Sequence, residues 1–377
     1  MLIGLLEMRR AKARFALLAG AVGLLVFLIL FQQALLGGLV TQFIGALRNQ
    51  SAEVLVYGAQ ARRNLEGSQV AADQAAAVQA LGGVAAAGRL GEGTFTVTAG
   101  GELTDAVILG YELGGPGEPT TLEEGRLPER DGEAVASRRN RGEGFGLGDA
   151  VTPAVAAGAA PAAPITIVGL ARDINYSVAP TLFVSYPTYE AARRVRNPNA
   201  RQVLPSALAL RPAPGETSAE LAARINQAVP GVEALTRSQA VASSPGVAAV
   251  RQSFSVVLAL FYLVAPLVIG LFFLIVTFQK APSLTLLRAV GAPARLLVSG
   301  LLVQVAAVVV GGVLAAALLF AAAAPGVRNV GVRVTPGPIL ATGAVVLALA
   351  LAASLAAVRR VLAIDPIDAT GAALARA

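Results

Sequence analysis

Residues 278–304 read FQKAPSLTLLRAVGAPARLLVSGLLVQ, a stretch whose one Lys and two Arg separate two long tracts without any charge. Ser283 is a favourable N-cap for the segment that follows it. Gly291 suits the left-handed residue that ends a helix, and Pro293 fits the first turn of the next helix. The pattern predicts a short capped helix between two apolar helices, so the nature of those flanking tracts determines the fold.

The chain contains four charge-free runs, at 15–47, 252–279, 296–327 and 334–358. A helix that crosses the hydrocarbon core of a bilayer needs about 20 apolar residues, and a central Arg, Lys or Asp costs about 2.5–3.5 kcal/mol on the insertion scale. The first run is about twice as long as the 7–15-residue apolar core of a signal peptide, so we interpret it as an uncleaved span. The predicted transmembrane helices are 15–37, 254–279, 296–324 and 338–358.

The composition excludes several classes of protein. Of the 377 residues 55% are hydrophobic and 14% are charged, whereas a soluble domain has about 25% charged residues. The chain has no Cys and no His, which excludes disulfides, thiolate or imidazole metal sites and any Ser-His-Asp triad. The Gly-rich segment GEGFGLGD at 142–149 does not fit a phosphate-binding loop, and we interpret it as a turn closed by Asp149. We expect no cofactor, no metal and no catalytic residue.

Charge is distributed unevenly along the chain. Residues 40–250 hold 17 basic and 20 acidic side chains, and the remainder holds 13 basic and 3 acidic ones. A nucleic-acid-binding protein would concentrate positive charge on its folded domain, so we expect no nucleic acid as a partner. The basic residues flank the spans at 9–14, 280–295 and 359–360, and the positive-inside rule therefore predicts that both termini and the 280–295 loop are cytoplasmic.

Between the first two spans the sequence predicts a large extracytoplasmic α+β domain. Short alternating segments such as SAEVLVYG, ITIVGLARD and SALALRP indicate strands, and DQAAAVQAL, PTYEAARRV and SAELAARINQAV indicate helices. The predicted fold class is a membrane protein with four transmembrane α-helices, in which this domain, residues 52–237, is inserted between helices 1 and 2 on helical stalks. The stalk helices are predicted at 38–60 and 238–253.

The remaining segments receive simpler interpretations. MLIGLLEMRR alternates apolar and basic residues, so 1–14 is predicted as an interfacial helix that contacts membrane lipids. Residues 325–337 form the predicted outer loop, and 359–377 the cytoplasmic tail. Amide side chains within the apolar runs could either line a transport path or form hydrogen bonds between neighbouring helices, and for the following ones we favour the second interpretation. They are Gln32, Gln33, Gln42 and Gln304.

The segment SLTLLRAVGAPARLLVSGLLVQ resembles the one that follows the second span in the FtsX/MacB-type (type VII) family of ABC transporter permeases. Its Leu286, Leu287, Arg288, Ala289, Gly291 and Ala292 match the family's REIALLRALGAS. The tail RRVLAIDPIDATG is similar to the family's ending, and EEGRLPERDGEAVASRRNRGEGFGLGDAVT, ITIVGLARD, PTLFVSYPTYEAAR and PGVEALTRSQA resemble its extracytoplasmic domain in order. With no fused nucleotide-binding domain in the sequence, the chain looks most like the DevC subgroup.

The resemblance implies a non-catalytic permease subunit in a bacterial plasma membrane, expected as a homodimer that acts with a separate cytoplasmic ABC ATPase homodimer. ATP would bind to that partner, and the helix within 280–295 would lie in a groove of it. The residues implied in ATPase coupling are Lys280, Ser283, Leu284, Leu286, Leu287, Arg288, Ala289, Val290, Gly291, Ala292 and Arg295. Two departures stand out: Pro282-Ser283 replaces the family's Arg-Glu pair, and Gln304 replaces an acidic residue of the third span.

Three functions remain open at this stage. The first is export or extraction of a lipid-linked or amphiphilic substrate with an extracytoplasmic adaptor. The second is transmembrane signalling without transport, in which the same motion activates a cell-wall hydrolase. The third, a membrane-anchored enzyme with its site in 40–250, is disfavoured because the chain lacks His and Cys and has no paired-carboxylate motif.

Overall fold

The computed structural model describes residues 11–155, 162–197, 202–279, 293–327 and 336–362. The described residues form two compact units. One unit contains the residues up to Gly37 and those from Gln252 onward, and we call it the bundle. The other, Gly38–Arg251, is called the inserted domain.

The helices in the described part of the chain are α1 (Lys12–Arg48), α2 (Ala72–Gln79), α3 (Tyr186–Arg196), α4 (Ser218–Ala228), α5 (Arg237–Ser243), α6 (Pro245–Gln279), α7 (Ala294–Val327) and α8 (Pro336–Leu362). The strands there are β1 (Val54–Gly58), β2 (Val84–Ala99), β3 (Glu102–Tyr111), β4 (Leu122–Gly125), β5 (Glu133–Ser137), β6 (Ala150–Pro153), β7 (Ile165–Ala171), β8 (Thr181–Ser185), β9 (Ala207–Pro212) and β10 (Val232–Thr236). Short 3-10 helices occur at Ala59–Ala61 and Arg138–Glu143.

Four of these helices, α1, α6, α7 and α8, are long and apolar enough to cross a membrane. Their charge-free segments exceed the length needed for the hydrocarbon core, at 1.5 Å of rise per residue. The chain is therefore a multi-pass membrane protein, and the predicted fold class, four spans with an α+β domain between the first and second, is confirmed.

The bundle packs through small residues. A Cβ added at Gly23 of α1 would lie 3.0 Å from the carbonyl oxygen of Gly312 in α7, and one added at Gly312 would lie 2.7 Å from Val22 Cγ1. Small side chains at such a crossing let two backbones approach closely, which is how helices associate in lipid without a hydrophobic driving force. The helix α6 shows the opposite arrangement on its outer side, where a stripe of large apolar residues is exposed. The stripe is Val256, Leu260, Leu263, Leu267, Leu271, Ile275 and Phe278.

The inserted domain is built on one ten-stranded sheet in the order β10-β1-β9-β2-β3-β8-β5-β7-β4, with β6 paired to β2 and β7. Neighbouring strands are antiparallel except for the pairs β3–β8 and β5–β7. Two clusters of buried apolar side chains fill its core. One lies under α3 and includes Phe95, Ile108 and Leu182, and the other lies under α4 and includes Val56 and Leu221.

The first and last strands of the domain pair with each other. Val54 in β1 is opposite Thr236 in β10, and the register continues to Gly58 opposite Val232. On its other side β1 pairs with β9. Because α1 precedes β1 and α5 follows β10 along the chain, the two ends of the inserted domain are side by side.

The helix bounds differ from the predicted stalks. The helix α1 ends at Arg48, and residues 54–58, which the predicted stalk 38–60 included, form β1 because VLVYG is rich in β-branched and aromatic residues. The segment predicted as one stalk helix, 238–253, is divided between α5 and α6, with Ser244 between them. Pro245 explains the break, since proline lacks an amide hydrogen and disfavours a helical residue before it.

Several predicted segments lie partly or wholly outside the described residues. These are the interfacial helix at 1–14, of which only 11–14 are described, the outer loop at 325–337, the tail at 359–377 and the coupling segment at 280–295. Where they overlap described residues, those residues belong to α1, α7 and α8, apart from Ala11 and Pro293, which precede α1 and α7.

Candidate functional site

Most of the residues implied in ATPase coupling lie outside the described part of the chain. Lys280, Ser283, Leu284, Leu286, Leu287, Arg288, Ala289, Val290, Gly291 and Ala292 fall in the gap between α6 and α7. Arg295 is in the first turn of α7. These assignments stay predictions, and the described residues instead reveal two regions that bear on how motion could pass along the chain.

The first region is a polar cluster among the transmembrane helices. Gln33 Nε2 in α1 donates to the hydroxyl of Tyr262 in α6 at 2.9 Å and to Thr342 Oγ1 in α8 at 3.2 Å. The Tyr262 hydroxyl also lies 3.4 Å from Thr342 Oγ1. The cluster thus joins three of the four membrane-spanning helices, and for Gln33 the interpretation of the amides as interhelical hydrogen-bonding groups is confirmed.

This cluster is neutral and its members satisfy one another. Each interhelical hydrogen bond of this kind contributes about 0.6 kcal/mol, up to about 1.7 kcal/mol. Proton or ion relays in membranes use Asp, Glu, His, Lys or Arg side chains, and the four charge-free runs contain none of these. The arrangement therefore fastens α1, α6 and α8 together and does not resemble an ion path.

The second region is the contact between the end of α1 and residues 173–178, which we call the α1 clamp. Three backbone hydrogen bonds of 3.1 Å join them: Ala46 N to Asn175 O, Ser177 N to the carbonyl of Phe43, and Val178 N to the carbonyl of Gln42. In addition, Asn49 Nδ2 donates to the Asp173 carbonyl at 2.7 Å. Because these bonds are made by the backbone of α1, they hold the last turns of this helix to residues 173–178.

Gly45 makes the close approach of the clamp possible. A Cβ at this position would lie 2.9 Å from the carbonyl carbon of Asp173 and 3.1 Å from the carbonyl oxygen of Asn175. Carbon atoms in contact are normally about 3.5–4.0 Å apart, so no side chain fits there without moving the clamp. The glycine in FIGAL is thus explained by tertiary packing.

The clamp has an unusual backbone and is firmly supported by the sheet. Asp173, Ser177 and Val178 have φ values of 56°, 50° and 64°, in the left-handed region that a β-branched residue such as Val rarely adopts. Asn175 Oδ1 accepts from the hydroxyl of Ser137 in β5 at 2.6 Å, and its Nδ2 donates to Asn140 Oδ1 at 2.9 Å. Strained conformations persist only where surrounding contacts over-determine them, and they cluster at switches and ligand clamps.

A buried carboxylate holds the neighbouring part of the domain, within the segment EEGRLPERDGEAV. Glu133 in β5 is 3% exposed and accepts from both Nη atoms of Arg126, at 2.7 and 2.6 Å, and from Arg130 Nε at 2.8 Å. Hydrogen bonds from Arg126 and from the Glu129 amide lower the pKa of Glu133 to about 2. This residue is thus a structural anchor for the turn between β4 and β5.

The remaining motifs behave as ordinary structure. Asp149 Oδ2 accepts from the Gly146 amide at 2.7 Å, so GEGFGLGD is a turn closed by Asp149, as interpreted. Among the described residues no group of three or more Asp, Glu, His or Cys side chains is placed to hold a metal ion.

Sequence reasoning missed both regions as functional elements. The clamp reads RDINYSV, in which Asp and Asn are residues that tolerate left-handed backbone, and this is the one local signal that could have marked it. The partners of Gln33 could not be identified, since Tyr262 and Thr342 are more than 200 positions away along the chain.

No known protein-family profile matches the sequence. Among solved structures, the chain is similar to the periplasmic region of MacB from Actinobacillus actinomycetemcomitans, with a TM-score of 0.35 and 12% identity over 51% of this chain and 92% of that one. It is also similar to the extracellular domain of the noncanonic ABC-type transporter YknZ from Gram-positive bacteria, with a TM-score of 0.32 and 12% identity over 49% of this chain and 98% of that one. Both are domains that lie outside the cytoplasm in their own proteins, and the similarity to each is distant.

Proposed function

We propose that the chain is the membrane-spanning permease subunit of an ABC-type transporter, in which a separate cytoplasmic ATPase dimer drives movement of the extracytoplasmic domain. The observation that carries the proposal is α1, one uninterrupted helix of 37 residues. It belongs to the bundle up to Gly37 and to the inserted domain beyond it. A helix shared by the two units is the kind of element that mechanical transmission across a membrane would use.

The helix α1 is fastened by hydrogen bonds at two levels, near its middle and in its last turns. Gln33 ties it to α6 and α8, and the α1 clamp ties its last turns to the inserted domain. A helix held at two levels passes on an axial or tilting motion instead of absorbing it. The neutral character of the spans agrees with this, because work would be done on the extracytoplasmic domain and not along a charged channel.

The proposed orientation rests on the basic residues beside the spans. The positive-inside rule places both termini and 280–295 in the cytoplasm and the inserted domain outside. Protease added to spheroplasts should cut within 40–250 and spare 280–295. Cleavage confined to 280–295 would contradict this topology.

The 280–295 segment is the proposed contact with the ATPase. By its spacing, Leu284, Leu287 and Val290 share one helix face, and Arg288 lies beside that face. If a conformational change of the ATPase is to move the permease, this segment must bind the open and closed states of the ATPase with different free energies. ATP itself would be bound by the partner, and the permease would act as a homodimer.

The proposed cargo is a lipid-linked or amphiphilic molecule, exported or extracted with the help of an extracytoplasmic adaptor. The wholly apolar outer stripe of α6 faces lipid or a second copy and provides no aqueous path for a polar solute. Co-purification in mild detergent would identify the ATPase and any outer partner. Recovery of a secreted cell-wall hydrolase in place of an adaptor would favour the signalling alternative.

The coupling role is tested in proteoliposomes that contain the full chain and the co-purified ATPase. Leu287→Asp and Arg288→Asp should abolish the stimulation of ATP hydrolysis by the permease while leaving membrane insertion intact. Thr285→Asp is the matched control, since it introduces the same acidic residue on the side of the predicted helix that faces away from Leu284, Leu287 and Val290. Unchanged stimulation of ATP hydrolysis in both variants would refute the coupling role. ATP hydrolysis by the isolated chain would refute the proposal that a separate subunit is the ATPase.

A further inference from the structure

The inserted domain contains a polar cavity of about 340 Å³ beside β2 and the C-terminal end of α3. Its lining includes two carboxylates, Glu66 and Glu92, and two guanidiniums, Arg193 and Arg196. At about 30 Å³ per water molecule, the space corresponds to about ten waters, or to a solute the size of an amino acid or a dipeptide. Ligand pockets in proteins begin at about 300 Å³.

Glu92 is the most unusual member of this lining. The residue is 3% exposed, and among the described residues its Oε2 atom has no hydrogen-bond partner. Its backbone is fixed, because its amide donates to Ser206 Oγ at 3.0 Å and its carbonyl accepts from the Tyr189 hydroxyl at 2.9 Å. A buried carboxylate without a partner is costly, so such a group is normally paired or else reserved for a ligand.

The local sequence is adapted to this arrangement. Gly91 and Gly110, on adjacent strands, let the ring of Tyr189 rest directly on the backbone. A Cβ at Gly91 would be 2.7 Å from Tyr189 Cζ, and one at Gly110 would be 2.8 Å from Tyr189 Cγ. The glycines therefore bring α3, and with it Arg193, close to the strand that carries Glu92.

Arg193 is the second group that lacks a partner. It is half-buried, and within the described part of the chain its guanidinium forms no hydrogen bond or ion pair, whereas Arg196 Nη1 donates to the Thr94 carbonyl at 2.6 Å. A Cβ at Gly93 would be 3.6 Å from Arg193 Nη1, so the guanidinium lies beside β2, and both Glu92 and Arg193 line the cavity. Glu92 and Arg193 thus line one cavity without forming an ion pair, although the guanidinium favours the ionised form of the Glu92 carboxylate.

We propose that this cavity is a binding site for a small zwitterion that carries both an ammonium and a carboxylate group, such as a free amino acid or a short peptide. The ammonium would bind the Glu92 carboxylate, with Glu66 nearby, and the carboxylate of the ligand would bind the Arg193 guanidinium. One molecule would satisfy both unpaired charges, which a simple anion or a simple amine does not. The site is independent of the proposed ATPase coupling.

The electrostatics give the site a pH dependence. Burial, with a smaller contribution from the Glu66 carboxylate and against the opposing effect of Arg193 and Arg196, raises the pKa of Glu92 to about 7. The buried phenol of Tyr176 also faces Glu92, and burial raises the pKa of that phenol well above its usual range. Glu92 is therefore ionised above pH 7 and protonated below it, so zwitterion binding should be tighter at pH 8 than at pH 6.

The test is isothermal titration calorimetry of the full chain in detergent with L-alanyl-L-alanine as the probe. We expect a dissociation constant of about 1 mM or below, and about a tenfold or greater loss of affinity in Glu92→Gln and in Arg193→Ala, since each removes a charge-assisted hydrogen bond. Arg194→Ala is the matched control on the same helix, because Arg194 is exposed and is not part of the lining. It should bind as the wild type does.

Ethylamine and sodium acetate, each titrated alone, separate the alternatives. Both should bind more weakly than the dipeptide by about tenfold or more, since each satisfies only one charge. No heat from the dipeptide up to millimolar concentrations, or equal affinity for acetate and dipeptide, would overturn the proposal. So would dipeptide binding that survives in both Glu92→Gln and Arg193→Ala, each checked for an unchanged near-ultraviolet tyrosine spectrum.

Discussion

Replacing Gly45 with Ala tests whether the α1 clamp holds the helix to the inserted domain. The added Cβ would lie 2.9 Å from the Asp173 carbonyl carbon, so the clamp must retreat by at least about 0.6 Å to reach an ordinary contact distance. The three backbone bonds of 3.1 Å would then exceed 3.6 Å, at which distance a hydrogen bond no longer exists.

The expected change in the free energy of unfolding follows from the loss of those three hydrogen bonds. Each contributes about 1 kcal/mol net, and alanine returns about 1 kcal/mol over glycine in a helix, so Gly45→Ala should destabilise the domain by about 2 kcal/mol. For a domain of this size that corresponds to a fall in the melting temperature of roughly 5 °C. Without these hydrogen bonds α1 should be held less firmly to residues 173–178, and ATPase stimulation in the reconstituted complex should fall.

The assay uses the tyrosine signal in near-ultraviolet circular dichroism of the full chain in detergent. The chain has no Trp, and of its six tyrosines all but Tyr262 lie in the inserted domain, so the signal reports on that domain. Hydrogen exchange of peptides that cover 172–179 gives a local readout, which should rise in Gly45→Ala. The control is Gly37→Ala on the same helix, where an added Cβ meets no described atom within 4 Å. Equal melting and exchange in Gly45→Ala and wild type would refute the reasoning.

Three further changes test the anchors of the domain and the bundle. Glu133→Gln should lower the stability of the domain by about 1 kcal/mol at pH 7, measured by thermal melts. Because the fold lowers the pKa of Glu133 to about 2, the stability difference between wild type and variant should be complete above the unfolded pKa near 4.3. It should vanish as the pH falls through 2. Gly312→Leu should destabilise the bundle by about 1–3 kcal/mol in detergent unfolding, whereas Gly300→Leu, whose Cβ meets nothing within 4 Å, should not. Gln33→Leu should cost about 0.6–1.7 kcal/mol in the same unfolding assay.

These three predictions fail in recognisable ways. A pH-independent Glu133→Gln difference would mean that the carboxylate is not the source of the stabilisation. Equal loss in Gly312→Leu and Gly300→Leu would mean that close helix approach is not what Gly312 provides. Wild-type stability in Gln33→Leu would show that the polar cluster does not fasten the helices.

The spans and several strands of this protein were predictable because their causes are local. Charge-free runs of more than 20 residues have few alternatives to a membrane helix, and VLVYG and ITIVGLA carry the β-branched pattern of buried strands. The first half of β2, VAAAGRLGEG, was not predicted, because Ala and Gly give no strand signal and the segment is fixed by its neighbours β3 and β9.

The candidate sites were less predictable because they depend on distant contacts. Gly45 reads as an ordinary helix glycine until Asp173 is placed against it. The unpaired charges of Glu92 and Arg193 meet only because Tyr189 docks α3 on the sheet. In contrast, the turn at Asp149 was predictable, since its hydrogen bond spans only three residues.

The pairing of β1 with β10 has a consequence for how such a protein can be assembled during evolution. The two ends of this domain are close together because they are adjacent strands of its own sheet. A domain of this kind can be inserted into the connection between two successive helices without forcing those helices apart. The inserted domain could therefore be exchanged for another of different specificity between the same two helices. Grafting residues 38–251, which include the α1 clamp, between an unrelated pair of membrane helices should yield a folded domain with an ordered tyrosine spectrum.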